Sequence, residues 1–315
     1  MADCFVVQPI HPAGVDLLRA AGHDVRFASS PDMAVVAREI GDARAVITRD
    51  AGMDARAIGA ARDLGHIASH GVGVNRVDLI AARARQIMVT NTPQTNVRSV
   101  AEHTIGLMFA LARRTLDADA AVRAGDWGFR YQPGLHELHG KTLGLVGFGT
   151  IARAVASMAR HGLGMTVLAW SPRTPEAVFE ADGVARVPDL PDLLQRSDVV
   201  SLHRPLRADT ITMIDDAALR VLRPGALLIN TGRGGLIDVS ALGRALADGR
   251  VGAAALDVFT TEPPAPDDPV LSLPRTILTP HIGGTTEEAM RATSCLCARQ
   301  VIDRLAGRTP DHVVA

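Results

Sequence analysis

Three short segments in the second half of the chain place polar side chains where apolar runs give way to glycine or proline. They read Asn230-Thr231-Gly232-Arg233-Gly234-Gly235, Asp257-Val258-Phe259-Thr260-Thr261-Glu262-Pro263 and Thr279-Pro280-His281-Ile282-Gly283-Gly284. Each follows a β-type run, and in an open α/β sheet such strand ends are where ligands bind. The residue types suit reduction of a 2-keto acid, which requires a holder for the carboxylate, a proton donor for the carbonyl oxygen and a hydride donor beside the carbonyl carbon. The guanidinium of Arg233 can grip a carboxylate and polarise the neighbouring ketone. The imidazole of His281, with an ordinary pKa of about 6.5, can give a proton in reduction and take one in oxidation. Glu262 can accept a hydrogen bond from the other ring nitrogen, orienting the ring and favouring its protonated form. Taken singly, each residue has a plainer reading: a surface or helix-capping arginine, a loop glutamate, a turn histidine. Their joint occurrence, in this order, favours the chemical one.

The hydride donor is implied upstream. Leu143-Gly144-Leu145-Val146 passes directly into Gly147-Phe148-Gly149-Thr150-Ile151-Ala152, and a helical pattern continues through Met158. Strand, glycine turn and helix in this order form a dinucleotide-binding fingerprint. The first glycine allows the tight turn, the second lets the pyrophosphate approach the backbone, and the small Ala152 permits close helix-to-strand packing. An acidic residue about 20 residues on would bind the ribose 2′-hydroxyl of NAD. The sequence there reads Ala169-Trp170-Ser171-Pro172-Arg173, without a carboxylate. Ser171 can hydrogen-bond a 2′-phosphate and Arg173 can pair with its charge, so NADP is favoured over NAD. The plainer reading is a solvated Arg173 and an enzyme that accepts both cofactors.

These sites need elements to position them. Short β-type runs alternate with helical ones from Phe5 to Ser69, and a second alternating series runs from Thr142 to Thr279. Such alternation predicts two parallel sheets with helices on both faces. A single long helix is expected from Val97 to about Arg123 and a final helix from about Thr286 to Leu305, whereas Glu262 to Pro269 reads as a surface loop. A length of 315 residues fits two domains, and 47% hydrophobic against 21% charged residues allows full cores. A net charge of -1 argues against nucleic acid or an anionic membrane as partner. No apolar run approaches the roughly 20 residues that span a bilayer, and no leader pattern opens the chain, so a cytoplasmic location is expected. Cys4, Cys295 and Cys297 have no zinc-type spacing; they read as buried or surface thiols, and no metal is expected.

The four polar and glycine segments resemble, in order and spacing, the D-isomer-specific 2-hydroxyacid dehydrogenase family. The resemblance extends to His70-Gly71-Val72-Gly73-Val74-Asn75, Ser99-Val100-Ala101-Glu102-His103-Thr104 and Asp198-Val199-Val200-Ser201-Leu202-His203, and so covers nearly the whole chain. It implies the catalytic roles above for Arg233, Glu262 and His281. It further implies substrate carboxylate binding by the backbone of Val72 and Gly73, phosphate contact by Thr104, adenine contact by His203 to Pro205, and nicotinamide contacts by Thr231 and Asp257. Asp257 has a plainer reading as a strand-end cap. Thr150 stands where the family commonly has a basic residue and Asn75 where it often has Asp; neither touches the triad.

The family fold is a Rossmann cofactor domain inserted into a flavodoxin-like substrate domain. That places residues 1–96 and 286–315 in the substrate domain and 97–285 in the cofactor domain, with hinges near Asn96 and Gly284. The helix from Val97 and the Trp127 segment resemble the family's dimer arm, so a homodimer is expected. Residues near Arg49 and His70, with Trp127 of a partner subunit, are expected to meet the substrate side chain, and serine feedback through a regulatory C-terminal domain is not expected. Within the family, formate oxidation is disfavoured because it requires Gln in place of Glu262, whereas phosphite oxidation uses a similar triad. A dinucleotide-sensing corepressor is the alternative from outside enzymology.

Overall fold

Short apolar runs separated by capped helices favour parallel pairing, because each helix returns the chain to the same end of the sheet. The computed structural model, which describes residues 3–315, shows this arrangement twice. One unit comprises the chain up to Asn96 together with Thr285–Ala315; the other is Val97–Gly284.

The first unit carries strands β1 (Cys4–Val6), β2 (Val25–Phe27), β3 (Ala45–Thr48), β4 (His66–Ser69) and β5 (Met88–Thr90), ordered β2-β1-β3-β4-β5 and all parallel. β1, β3 and β4 are buried along their whole length, as central strands covered on both faces must be. Its helices start on side-chain caps: Asp32, Asp54 and Asp78 accept backbone N–H groups at the first turns of Met33–Glu39, Ala55–Ala60 and Leu79–Ala84. Helix Pro12–Ala20 packs on the terminal helix Glu287–Leu305 so closely that a Cβ on Gly14 would lie 2.6 Å from the Ser294 carbonyl oxygen. Beyond that helix the chain returns to β5, where Val89 N–H donates to Ala315 O at 2.7 Å and Val314 N–H to Val89 O at 2.8 Å.

The second unit carries β6 (Thr142–Val146), β7 (Thr166–Trp170), β8 (Ala185–Arg186), β9 (Val199–Leu202), β10 (Ala226–Asn230), β11 (Val251–Leu256) and β12 (Thr276–Leu278). Their order is β12-β11-β10-β9-β6-β7-β8, again parallel throughout. The chain runs outward from β6 to β8, then restarts beside β6 at β9 and runs the other way. The point of reversal, between β6 and β9, is where doubly wound sheets open a crevice beyond their carboxyl ends. Helix Val97–Ala112 lies against this sheet and buries Thr104, Leu107, Met108 and Leu111.

The single long helix expected from Val97 is two. Val97–Ala112 ends at a turn in which Arg114 adopts a left-handed backbone (φ +48°), and Thr115–Arg123 begins there. The second helix buries no residue, so no core face forces it to continue the first, and Arg114 is held in the turn by Asp117 at 2.9 Å and by the Phe129 ring. Among the described residues, no helix is long and apolar enough to cross a membrane.

Candidate active site

At the end of β6, Gly147 turns with φ +101°, a conformation that side chains resist. A Cβ there would sit 2.5 Å from the His203 carbonyl oxygen and 3.1 Å from Arg204 Cδ, so the turn is closed to any other residue. Gly149 then caps helix Thr150–Ser157 without a side chain, which leaves that end open to an external acceptor. Phe148 is buried and stacked on Phe179 with centroids 4.6 Å apart, so it offers a ligand only its backbone. Ala152 is fully buried against the neighbouring elements. A tight turn, a cradle that a side chain would fill and an uncapped helix start fit a dinucleotide pyrophosphate.

Beyond β7, Ser171 is buried with its Oγ 2.9 Å from Thr174 Oγ1, while Arg173 is exposed and pairs with no carboxylate among the described residues. Beyond β9, burial pushes His203 down to about 4, so its ring is neutral, and Nε2 lies 2.9 Å from Ser201 Oγ. Pro205 is exposed beside it. Thr104, expected to touch phosphate, has no accessible surface. Its hydroxyl donates to Val100 O at 2.8 Å and lies 3.0 Å from Thr231 Oγ1, so the half-buried Thr231 presents the reachable hydroxyl of that pair.

The three candidate catalytic side chains come from loops after β10, β11 and β12. Asn230 shapes the first loop: its side-chain amide donates to Arg233 O at 2.9 Å and its Oδ1 accepts the Gly232 N–H at 3.0 Å. Burial pushes the Arg233 guanidinium down from its usual range, against the opposing charge of Glu262; a guanidinium nonetheless stays charged. Glu262 works with both oxygens. Oε1 accepts the Phe259 N–H at 3.0 Å, and Oε2 lies 2.9 Å from His281 Nδ1. That bond raises His281 above its ordinary pKa; burial and the Arg233 charge oppose it, while the charges of Glu262 and Asp257 add to it. Arg233, Glu262 and His281 therefore lie within electrostatic reach of one another.

His281 itself has a left-handed backbone, φ +54°, sparsely populated by residues with side chains. Asp257 holds the segment around it. Its Oδ1 accepts Thr279 Oγ1–H at 2.6 Å and Ile282 N–H at 2.9 Å, and its Oδ2 accepts Gly283 N–H at 2.9 Å. His103 Nε2 lies 3.4 Å from the same carboxylate and 3.3 Å from Thr279 Oγ1. Burial alone would raise Asp257, but its bonds from His103, Thr279, Gly283 and Ile282 together hold it below the ordinary carboxylate range. The strand-end cap considered for Asp257 is thus present. His103 and Asn230 were not singled out from the sequence by themselves; the signal available was a polar residue inside an apolar helix and one closing an apolar strand.

In the first unit, the loop after β4 has its carbonyls tied down. Thr92 N–H donates to Gly71 O, Asn91 Nδ2 to Val72 O and Ser69 Oγ to Gly73 O, at 3.0, 2.8 and 3.0 Å. The N–H groups of Val72 and Gly73 have no acceptor among the described residues. His70 is pushed down to about 4 by burial and by Arg49, and its Nε2 lies 2.9 Å from Ser294 Oγ.

The folds and loops together define a two-unit, dinucleotide-binding α/β protein. Residues 105–283 match the family model of the D-isomer specific 2-hydroxyacid dehydrogenase NAD binding domain, and the chain belongs to that family. It is 38% identical over 315 residues to a D-3-phosphoglycerate dehydrogenase of Methanocaldococcus jannaschii, covering 100% of this chain and 59% of that protein. It is 40% identical over 256 residues to a glyoxylate reductase of Thermococcus litoralis, covering 79% of this chain and 76% of that one. The phosphoglycerate dehydrogenases it matches are longer, and it spans somewhat over half their length. Its structure is similar to that of the TT0316 protein of Thermus thermophilus, with a TM-score of 0.90, 34% identity and 99% of both chains covered.

Proposed function

We propose that the protein reduces a small 2-keto acid to a D-2-hydroxy acid at the expense of NADPH or NADH. The observation that supports this most directly is the 2.9 Å contact between Glu262 Oε2 and His281 Nδ1 within reach of the Arg233 charge. Arg233 holds the substrate carboxylate and polarises the ketone. In the first unit, the N–H groups of Val72 and Gly73, without an acceptor among the described residues, are proposed to bind a carboxylate. Glu262 keeps the proton on Nδ1, so that Nε2 of the imidazolium gives its proton to the carbonyl oxygen. When bound, the dihydronicotinamide supplies the hydride to the carbonyl carbon. The product is the hydroxy acid, and His281 is left neutral to regain a proton from water.

Thr231 and Asp257 are proposed to orient the nicotinamide, His203 and Pro205 to line the adenine, and Ser171 with Arg173 to favour NADP over NAD. A homodimer is proposed through the helical arm, where Phe109, Leu116, Val122, Trp127 and Tyr131 are exposed apolar side chains. Sedimentation tests this: a monomer at micromolar concentration removes the dimer. The activity is tested by a panel of glyoxylate, hydroxypyruvate and phosphohydroxypyruvate, each with NADH and NADPH. Cofactor binding without turnover of any keto acid would point instead to a dinucleotide sensor.

A further inference from the structure

The loop after β9 holds an arginine that the proposed chemistry leaves unused. Arg204 is only 7% exposed, although arginines are rarely buried without a partner. Among the described residues its buried Nε has no hydrogen-bond partner, and its one ion pair, to the exposed Asp209, is long at 3.9 Å. The stem lies beside the Gly147 turn, with Cδ 3.1 Å from where a Cβ would stand, and the guanidinium lies over the Trp170 ring, 5.5 Å from its centroid. The side chain therefore reaches from the pyrophosphate turn to the carboxyl end of β7. That end is where a doubly wound sheet holds the adenosine ribose. Burial loosens the hold of Arg204 on its proton; the charges of Arg173 and Arg207 add to this and that of Asp209 opposes it. β7 itself ends without a carboxylate.

From this geometry we infer that Arg204 is a specificity-determining residue for the cofactor: it binds the phosphomonoester on the adenosine 2′-oxygen, together with the exposed Arg173. The inference rests on the NADP preference proposed above. Trp170 fixes the guanidinium plane before the ligand arrives, which lowers the ordering cost of the ion pair. A role confined to packing against Trp170 would give no discrimination between phosphorylated and unphosphorylated ribose.

Calorimetric titration with 2′,5′-ADP and 5′-ADP separates these cases without any turnover. The wild-type protein should bind 2′,5′-ADP about 10-fold or more tightly than 5′-ADP. Arg204→Leu should lose most of that preference and keep its affinity for 5′-ADP. A preference abolished by Arg173→Ala but untouched by Arg204→Leu overturns the assignment of Arg204 and leaves NADP preference standing. Equal wild-type affinity for the two nucleotides overturns both, and binding of neither removes the dinucleotide site itself. Should Arg204→Leu also lose 5′-ADP, Arg204→Gln, which keeps part of the stem beside the Gly147 turn and removes the charge, decides on the same criterion.

Discussion

Asp257 holds Gly283: its Oδ2 accepts the Gly283 N–H at 2.9 Å, two residues beyond His281. The other oxygen takes Ile282 N–H and the Thr279 hydroxyl, so the carboxylate bonds residues on both sides of the histidine. A residue with φ +54° persists when its surroundings over-determine it, and these bonds do so. Asp257→Asn would turn an amide N–H₂ toward groups that are themselves donors. Its expected cost is about 2 kcal/mol of stability, together with a lower kcat, read by urea denaturation and steady-state kinetics. Because the folded pKa is depressed, the contribution of Asp257 is present above its unfolded value and is lost as pH falls through the folded one. Asp257→Asn should therefore flatten the acid limb of the stability curve; an unchanged acid limb would show that the carboxylate contributes nothing there.

The raised pKa of His281 sets the direction of a second expectation. In the proposed reaction the imidazolium gives the proton, so kcat/KM for a keto acid should fall as pH rises through the raised value, and oxidation of the hydroxy acid should rise over the same interval. Glu262→Gln removes the charge while keeping a hydrogen-bond acceptor. Both limbs should move to lower pH, since burial and Arg233 then act unopposed by Glu262. A limb that stays in place belongs to another group.

Arg233→Lys keeps a positive charge and removes the planar fork. The expected loss in kcat/KM is on the order of 10²-fold, by analogy with removal of one donor that stabilises developing charge. NADPH affinity, followed by nucleotide fluorescence, should be unchanged, which separates a substrate effect from a disturbed cofactor site.

Gly147→Ala combines a left-handed backbone with a Cβ 2.5 Å from a carbonyl oxygen. The strain alone is about 1–3 kcal/mol. Nucleotide binding should be lost before the fold is, as circular dichroism and 5′-ADP titration on the same sample would reveal. Undiminished nucleotide affinity would place the pyrophosphate elsewhere.

The parallel two-sheet architecture was legible because helices and strands alternate with clear apolar runs. Strand β5, Met88–Thr90, falls outside the alternating series read from Phe5 to Ser69. The break at Arg114 was missed for a different reason: helical residues with no buried face leave tertiary context, not pattern, to choose the turn. The glycine turn was readable since its steric need is local. The contact of Glu262 with His281 joins residues 19 apart and the contact of His103 with Asp257 joins two distant elements, so only the fold could bring them together. Arg204 was visible as a charged residue directly after a buried strand, but a lone arginine there is ambiguous until its burial is known.

The first unit draws its sheet from the opening 96 residues and its closing helix and β5 partner from residues after 284. A ribosome delivers those pieces only after the second unit. The stretch from Val97 to Gly284 is contiguous, whereas the strands before it take the helix that seals Cys4, Val6 and Ala68 from beyond residue 284, so that seal waits on the later part of the chain.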